Sequence, residues 1–189
     1  DKRQDLGSET ARSLTTGTGY TCVLLDDNST EPLSNVKCWG RGNYGQLGTG
    51  KKFDVTSPDK VIDLGTGRTA TAIASGNFHT CAILDNSSIK CWGLNDSGQL
   101  GFGDTITRGD STSEDGSSEM GDNLPTVDLG AGRTARAISA GDSHTCVVLD
   151  NTSLKCWGEN SYGQLGLGDN STHGDNSSEM GDNLPVISL

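Results

Sequence analysis

The chain has 189 residues, enough for one domain, yet only 31% are hydrophobic and 27 are glycine, which excludes a single large apolar core. A formal net charge of −11 repels a phosphate backbone, so nucleic-acid binding is excluded as a function. No apolar stretch reaches the length of a membrane span.

The chain opens on Asp1 with no visible signal sequence, as expected of a processed protein or an excised segment. Asp5–Leu6–Gly7 then returns as Asp63–Leu64–Gly65 and Asp128–Leu129–Gly130. Cys38–Trp39–Gly40 returns as Cys91–Trp92–Gly93 and Cys156–Trp157–Gly158. Gly45–Gln46–Leu47–Gly48 returns as Gly98–Gln99–Leu100–Gly101 and Gly163–Gln164–Leu165–Gly166. The tryptophans lie 53 and 65 residues apart, the size of a propeller blade. Three units follow, over residues 5–62, 63–127 and 128–189, the last ending in the start of a following strand.

Within the second unit the elements come in order. Arg68–Ala74 alternates and is predicted as a strand before a glycine turn. Thr80–Leu84 is an apolar strand, Asp85–Ser88 has turn chemistry, and Ile89–Trp92 is the returning strand. The Gly–Gln–Leu–Gly turn and a polar loop follow, and Leu124–Leu129 is predicted as a strand leading into the third unit. No long helix is predicted anywhere.

The run from His79 to Asp104, HTCAILDNSSIKCWGLNDSGQLGFGD, resembles the repeat of the regulator of chromosome condensation family. The likeness recurs three times and covers nearly the whole chain. The first copy departs from it: Tyr20 stands where His79 and His144 stand, and its hairpin is six residues longer. The resemblance implies an all-β fold of tandem β-propeller blades, typically seven to a ring. Three blades do not close such a ring. The chain is therefore expected to be part of a larger propeller, to be completed by other chains, or to form an open array.

The six cysteines fall as the pairs Cys22–Cys38, Cys81–Cys91 and Cys146–Cys156. A hairpin turning about Asn86 or Asn151 sets the partners opposite one another, within reach of a disulfide. Three such bridges would staple a thin core in an oxidising compartment; the alternative is small buried thiols in a reducing one. No pair has the close spacing of a zinc site. Asn-X-Ser/Thr sequons begin at Asn28, Asn86, Asn95, Asn151, Asn170 and Asn176. Asn28, Asn86 and Asn151 occupy the same hairpin turn, where a glycan would project to solvent.

His79 and His144 each precede Thr–Cys, which invites a nucleophilic reading. A feature repeated once per blade is better read as structural, the imidazole bonding a neighbouring backbone carbonyl. Trp39, Trp92 and Trp157 are read as blade-packing anchors, and Gln46, Gln99 and Gln164 as makers of local hydrogen bonds. The loops Gly116–Pro125 and Asn176–Pro185 are nearly identical, which loops seldom are. Their acids, Asp110, Asp115, Glu119 and Asp122 with Asp169, Asp175, Glu179 and Asp182, offer calcium ligands, with Asp122 and Asp182 as candidates. The spacing does not match an EF-hand. Arg108–Gly109–Asp110 resembles an integrin-binding tripeptide.

The sequence therefore points to a non-catalytic extracellular or cell-surface module, a structural or protein-binding scaffold. Its expected partners are proteins, in particular further copies of itself or adjoining repeats, as in a filament or coat. No cofactor is expected, and no nucleophile–base pair or metal cluster of an enzyme is visible. The resemblance keeps two other roles open: regulation of a small GTPase by nucleotide exchange, and inhibition of an enzyme by a secreted protein.

Overall fold

The computed structural model describes residues 10–26, 35–110 and 118–189. Three antiparallel sheets follow one another, each of three strands in sequence order. The first contains β1 (Ala11–Gly17), β2 (Tyr20–Leu25) and β3 (Val36–Gly40). The second contains β4 (Ala70–Ser75), β5 (His79–Leu84) and β6 (Ile89–Gly93), and the third β7 (Ala135–Ala140), β8 (His144–Leu149) and β9 (Leu154–Gly158). The fold is an all-β array of propeller blades.

The middle strand is the apolar one in each sheet; β5, with a sheet on either side, is buried along its whole length, whereas β8 alternates between part-exposed and buried residues. Each first strand carries a bulge near its start, between Ala11 and Ser13, Ala70 and Ala72, and Ala135 and Ala137, which strengthens the local twist. β4 begins two residues later than predicted. Arg68 and Thr69 are held instead by Asp85, whose carboxylate accepts from Arg68 Nη1 at 3.1 Å and Thr69 N at 3.3 Å.

The predicted strand at Leu124–Leu129 is not one. Pro125 has no N–H to give a ladder, and Asp128 turns back to accept from Gly130 N at 2.9 Å. A single backbone bond, Val127 N to Ile89 O at 2.9 Å, joins the segment to the second sheet. A fourth edge is instead supplied by short bridges: Gly40 with Val55, Gly93 with Arg108, and Gly158 with His173. The only helical turns among the described residues are two 3-10 turns, Gly121–Asn123 and Gly181–Asn183.

The apolar residues lie in two slabs, each between adjacent sheets. Leu24, Val36, Leu47, Ile62, Leu84, Trp92 and Met120 belong to one; Leu100, Val127, Leu149, Trp157 and Met180 belong to the other. A low hydrophobic share suffices because the core is divided between seams. The expected disulfides are present. Cys22 faces Cys38, Cys81 faces Cys91 and Cys146 faces Cys156 across neighbouring strands, all three pairs are bonded, and no cysteine is free.

Candidate interaction surfaces at the repeat seams

Each seam is built around one main-chain carbonyl. In the Gly–Gln–Leu–Gly turn the glutamine side chain folds onto its own loop. Gln46 Oε1 accepts from Tyr44 N at 2.9 Å, Gln99 Oε1 from Ser97 N at 2.8 Å, and Gln164 Oε1 from Tyr162 N at 2.9 Å. That arrangement presents the glutamine carbonyl to the next repeat. Gln46 O accepts from Trp92 Nε1 at 3.0 Å and Thr80 Oγ1 at 2.9 Å. Gln99 O accepts from Trp157 Nε1 at 3.0 Å and Thr145 Oγ1 at 2.9 Å. Both lone pairs of one oxygen are thus used. The turn must also be bare where the indole lies on it: a Cβ on Gly101 would sit 2.6 Å from Trp157 Nε1.

A second layer of each seam holds the residue before that threonine. Tyr20 Oη donates to His79 O at 2.6 Å and lies 3.0 Å from Thr80 Oγ1. His79 Nε2 lies 3.0 Å from Thr145 Oγ1. The single hydroxyl hydrogen of Thr145 is committed to Gln99 O, so His79 donates from Nε2. Its partner is therefore a side-chain hydroxyl of the next repeat and not the backbone carbonyl expected from sequence. Complete burial, aided by the nearby His144, lowers the His79 pKa to about 3.

The near-identical loops close each unit on its own beginning. Gly121 N donates to Asp63 O at 3.1 Å and Gly181 N to Asp128 O at 3.2 Å. Asp122 accepts from Thr66 N at 2.9 Å and Thr66 Oγ1 at 2.6 Å, bonds that hold its carboxyl below the usual range. Asp182 accepts from Ala131 N at 2.9 Å. Lys90 Nζ donates to Leu64 O at 3.0 Å and Gly121 O at 2.6 Å; Lys155 Nζ donates to Leu129 O at 3.1 Å and Gly181 O at 2.7 Å. Both lysines are buried. Sequence reading missed them, although lysine precedes Cys–Trp–Gly in all three copies.

The glutamates of these loops are taken up by backbone donors. Glu119 Oε2 accepts from Gly109 N and Asp110 N, and Glu179 Oε2 from Gly174 N and Asn176 N, at 2.9–3.3 Å. Among the described residues no three acidic, histidine or cysteine side chains are grouped to hold a metal; Asp115 lies outside them. The Arg108–Gly109–Asp110 tripeptide is not displayed either. Arg108 is bound to Asp104 at 2.7 Å, and Asp110 is buried against Lys52 at 2.6 Å.

The sequons divide by exposure. Asn86 and Asn151 stand exposed at hairpin tips, their Oδ1 atoms accepting from Ser88 N and Ser153 N at 3.1 Å. Asn170 and Asn176 are exposed. Asn95 is buried, with Nδ2 donating to Asp104 O at 2.8 Å. Asn28 lies outside the described residues.

The two terminal repeats each carry half a seam. Trp92 and Trp157 are wholly buried, whereas Trp39 is only partly so. The tryptophan of each unit is covered by the turn of the unit before it. Thr21 is likewise part-exposed where Thr80 and Thr145 are buried. At the other terminus Gln164 and His144 are part-exposed where Gln46, Gln99 and His79 are buried. Tyr162 is 91% exposed, whereas its counterpart Tyr44 packs on Phe78 with ring centres 4.9 Å apart.

Sheets stacked through such seams define a tandem blade array. The chain belongs to the regulator of chromosome condensation (RCC1) repeat family: the family model matches residues 36–83 and 91–148, and a second model of the repeat matches 70–99 and 135–164. Among relatives, it is 33% identical over 159 residues to the ultraviolet-B receptor UVR8 of Arabidopsis thaliana, covering 83% of this chain and 31% of that protein. It is 30% identical over 181 residues to RCC1 domain-containing protein 1 of Homo sapiens, covering 82% of this chain and 46% of that protein. The chain thus spans less than half the length of either. Among solved structures, yeast RCC1 (Prp20) bound by Kap60 superposes with a TM-score of 0.69 at 18% identity, over 95% of this chain and 37% of that one.

Proposed function

We propose that the chain is a non-catalytic scaffold of an extracellular or cell-surface protein, engaging protein partners through its blades. The observation carrying this reading is the set of three disulfides, one in the same place in each sheet, with no free cysteine. Such bridges persist in oxidising compartments and are rare in reducing ones. The exposed sequons at Asn86 and Asn151 support the same setting, since a glycan at a hairpin tip meets solvent alone. Further copies of the chain, or adjoining repeats, are the partners proposed for the terminal faces, in the manner of a filament or coat.

Alkylation of the denatured chain without reductant, followed by intact-mass measurement, tests the setting. No alkylated cysteine is expected. Six alkylated cysteines would overturn the extracellular reading and favour regulation of a small GTPase in a reducing compartment.

A further inference from the structure

The hairpin tips of the second and third repeats are built alike around one asparagine. Ser87 N donates to Leu84 O at 2.9 Å and Leu84 N to Ser88 O at 2.9 Å, which sets Asn86 at the crest of its turn. Thr152 N donates to Leu149 O at 3.0 Å and Leu149 N to Ser153 O at 2.8 Å, which sets Asn151 in the same place. Each carboxamide is fixed by its oxygen, as in an Asx turn. Asn86 Oδ1 accepts from Ser88 N at 3.1 Å and Ser88 Oγ at 2.7 Å, and Asn151 Oδ1 accepts from Ser153 N at 3.1 Å. Among the described residues neither Nδ2 donates a bond, and both asparagines are exposed. A neighbouring repeat does not change this. The third repeat docks directly beneath the second tip, Ala135 N donating to Ser87 O at 3.0 Å, and Asn86 still stands in solvent. The exposure of a tip therefore does not turn on what lies next to it in the row.

Resting on the extracellular setting read from the disulfides, we propose that Asn86 and Asn151 are N-glycosylation sites, each carrying an oligosaccharide on its carboxamide nitrogen. The donor is an oligosaccharide linked through phosphate or pyrophosphate to a polyprenyl lipid of the secretory membrane. Nδ2 bonds to the anomeric carbon of the sugar, and the bond from that carbon to the phosphate oxygen breaks. The lipid phosphate leaves with the electron pair, and one Nδ2 hydrogen leaves as a proton, so no oxidant or reductant enters. The remaining sequons lack this presentation. Asn95 is buried, and its Nδ2 donates to Asp104 O at 2.8 Å and Asp104 Oδ1 at 3.0 Å. A sugar there would take one of those hydrogens and have no space, so a chain modified at Asn95 does not reach this fold. Asn176 Nδ2 is held by Asp175 Oδ1 and Glu179 Oε1, each at 3.2 Å. Asn170 occupies the place from which Lys52 reaches Asp110 of the following repeat at 2.6 Å, and so belongs to the seam side of its loop. The tips lie at the opposite end of their strands from the Gly–Gln–Leu–Gly turns. Sugars on Asn86 and Asn151 therefore share one face of the array and crowd no seam carbonyl.

Site mapping on the full chain, secreted from a eukaryotic cell, tests the assignment. Peptide N-glycosidase F in heavy-oxygen water converts each sugar-bearing asparagine to a labelled aspartate, which peptide mass spectrometry locates. Label is expected at Asn86 and Asn151, less at Asn170 and Asn176, and none at Asn95. Ser88→Ala and Ser153→Ala each remove the acceptor hydroxyl of one tip and leave its asparagine in place. Each is expected to abolish the label at its own tip and keep it at the other. Far-ultraviolet dichroism verifies that the secreted wild type and variants are folded. An unlabelled tip in the folded wild-type chain overturns the proposal. So does a tip labelled less than Asn170 or Asn176, label at Asn95, or label that survives the serine substitution. The thiol count of the same sample is read separately. Unlabelled tips with no free cysteine remove the glycans and leave the extracellular reading standing, whereas alkylated cysteines remove that reading whatever the label.

Discussion

His79 stays uncharged because both of its surroundings demand it: it is wholly buried, and its Nε2 is committed to Thr145 Oγ1 at 3.0 Å. With its pKa lowered from 6.5 to about 3, the folded chain binds fewer protons than the unfolded chain between those values. Stability is therefore intact above pH 6.5 and falls as the pH is lowered toward 3. Carboxylates add to acid lability, so the diagnostic is a difference between variants. His79→Tyr copies the first repeat, where Tyr20 Oη lies 3.0 Å from Thr80 Oγ1. Denaturant midpoints for this variant are expected to decline less steeply with acid than those of wild type. An equal slope would show that His79 takes up a proton in the folded state. Trp92→Ala removes a wholly buried indole and its bond to Gln46 O. A loss of about 3–5 kcal/mol is expected in urea unfolding, and a smaller loss for the part-exposed Trp39. Recurrence alone marked these tryptophans, but not their partners. The acceptor is a main-chain oxygen 46 residues earlier for Trp92 and 58 earlier for Trp157, and a carbonyl leaves no trace in side-chain pattern. The inequality of Trp39 was hidden for the same reason: all three copies read Cys–Trp–Gly.

At the scale of the element, the hairpins were the most legible part of the chain. Alternation, the Asn–Ser turns and facing cysteines all describe one local object, and the register pairs Cys81 with Cys91 and Cys146 with Cys156. What failed was the segment Leu124–Leu129, whose apolar spacing comes from Leu124, Val127 and Leu129 each reaching the core without a ladder to direct them. The near-identical loops were legible as an anomaly only. Their acids serve as backbone clasps for the turn that opens the same unit, so Gly121 binds Asp63, and Asp122 binds Thr66. Such a role needs the fold to bring together residues more than 50 positions apart. A stability test belongs at this scale too. Cys81→Ser with Cys91→Ser releases a loop of sequence separation 10, and a loss of about 2–4 kcal/mol is expected from the freed unfolded chain. Thermal unfolding of the double variant checks it; an unchanged transition would show that the sheet alone sets the hairpin.

For the molecule as a whole, composition foresaw that the core is thin and repeated, and the two slabs of apolar side chains between sheets bear that out. Neighbour dependence follows. The second sheet is covered on both sides, and β5 is buried from end to end; the outer strand β1 leaves Leu14 67% exposed. Stability in such an array is a sum of unit and seam contributions, so the middle repeat is the one whose damage propagates both ways. The number of blades that finally stand together is written in no single copy, because each repeat specifies its seam to the next and says nothing of where the row stops.

The staples also set how the chain behaves under tension. When a blade is torn from its neighbour and its strands peel apart, the segment between its bonded cysteines stays folded back on itself. About 35 Å of backbone is withheld in each of the second and third repeats, given roughly 3.5 Å per extended residue and a separation of 10 residues. A pulled array would therefore lengthen in shortened steps and stop short of full extension, with each hairpin remaining as a tethered remnant from which the blade can re-form.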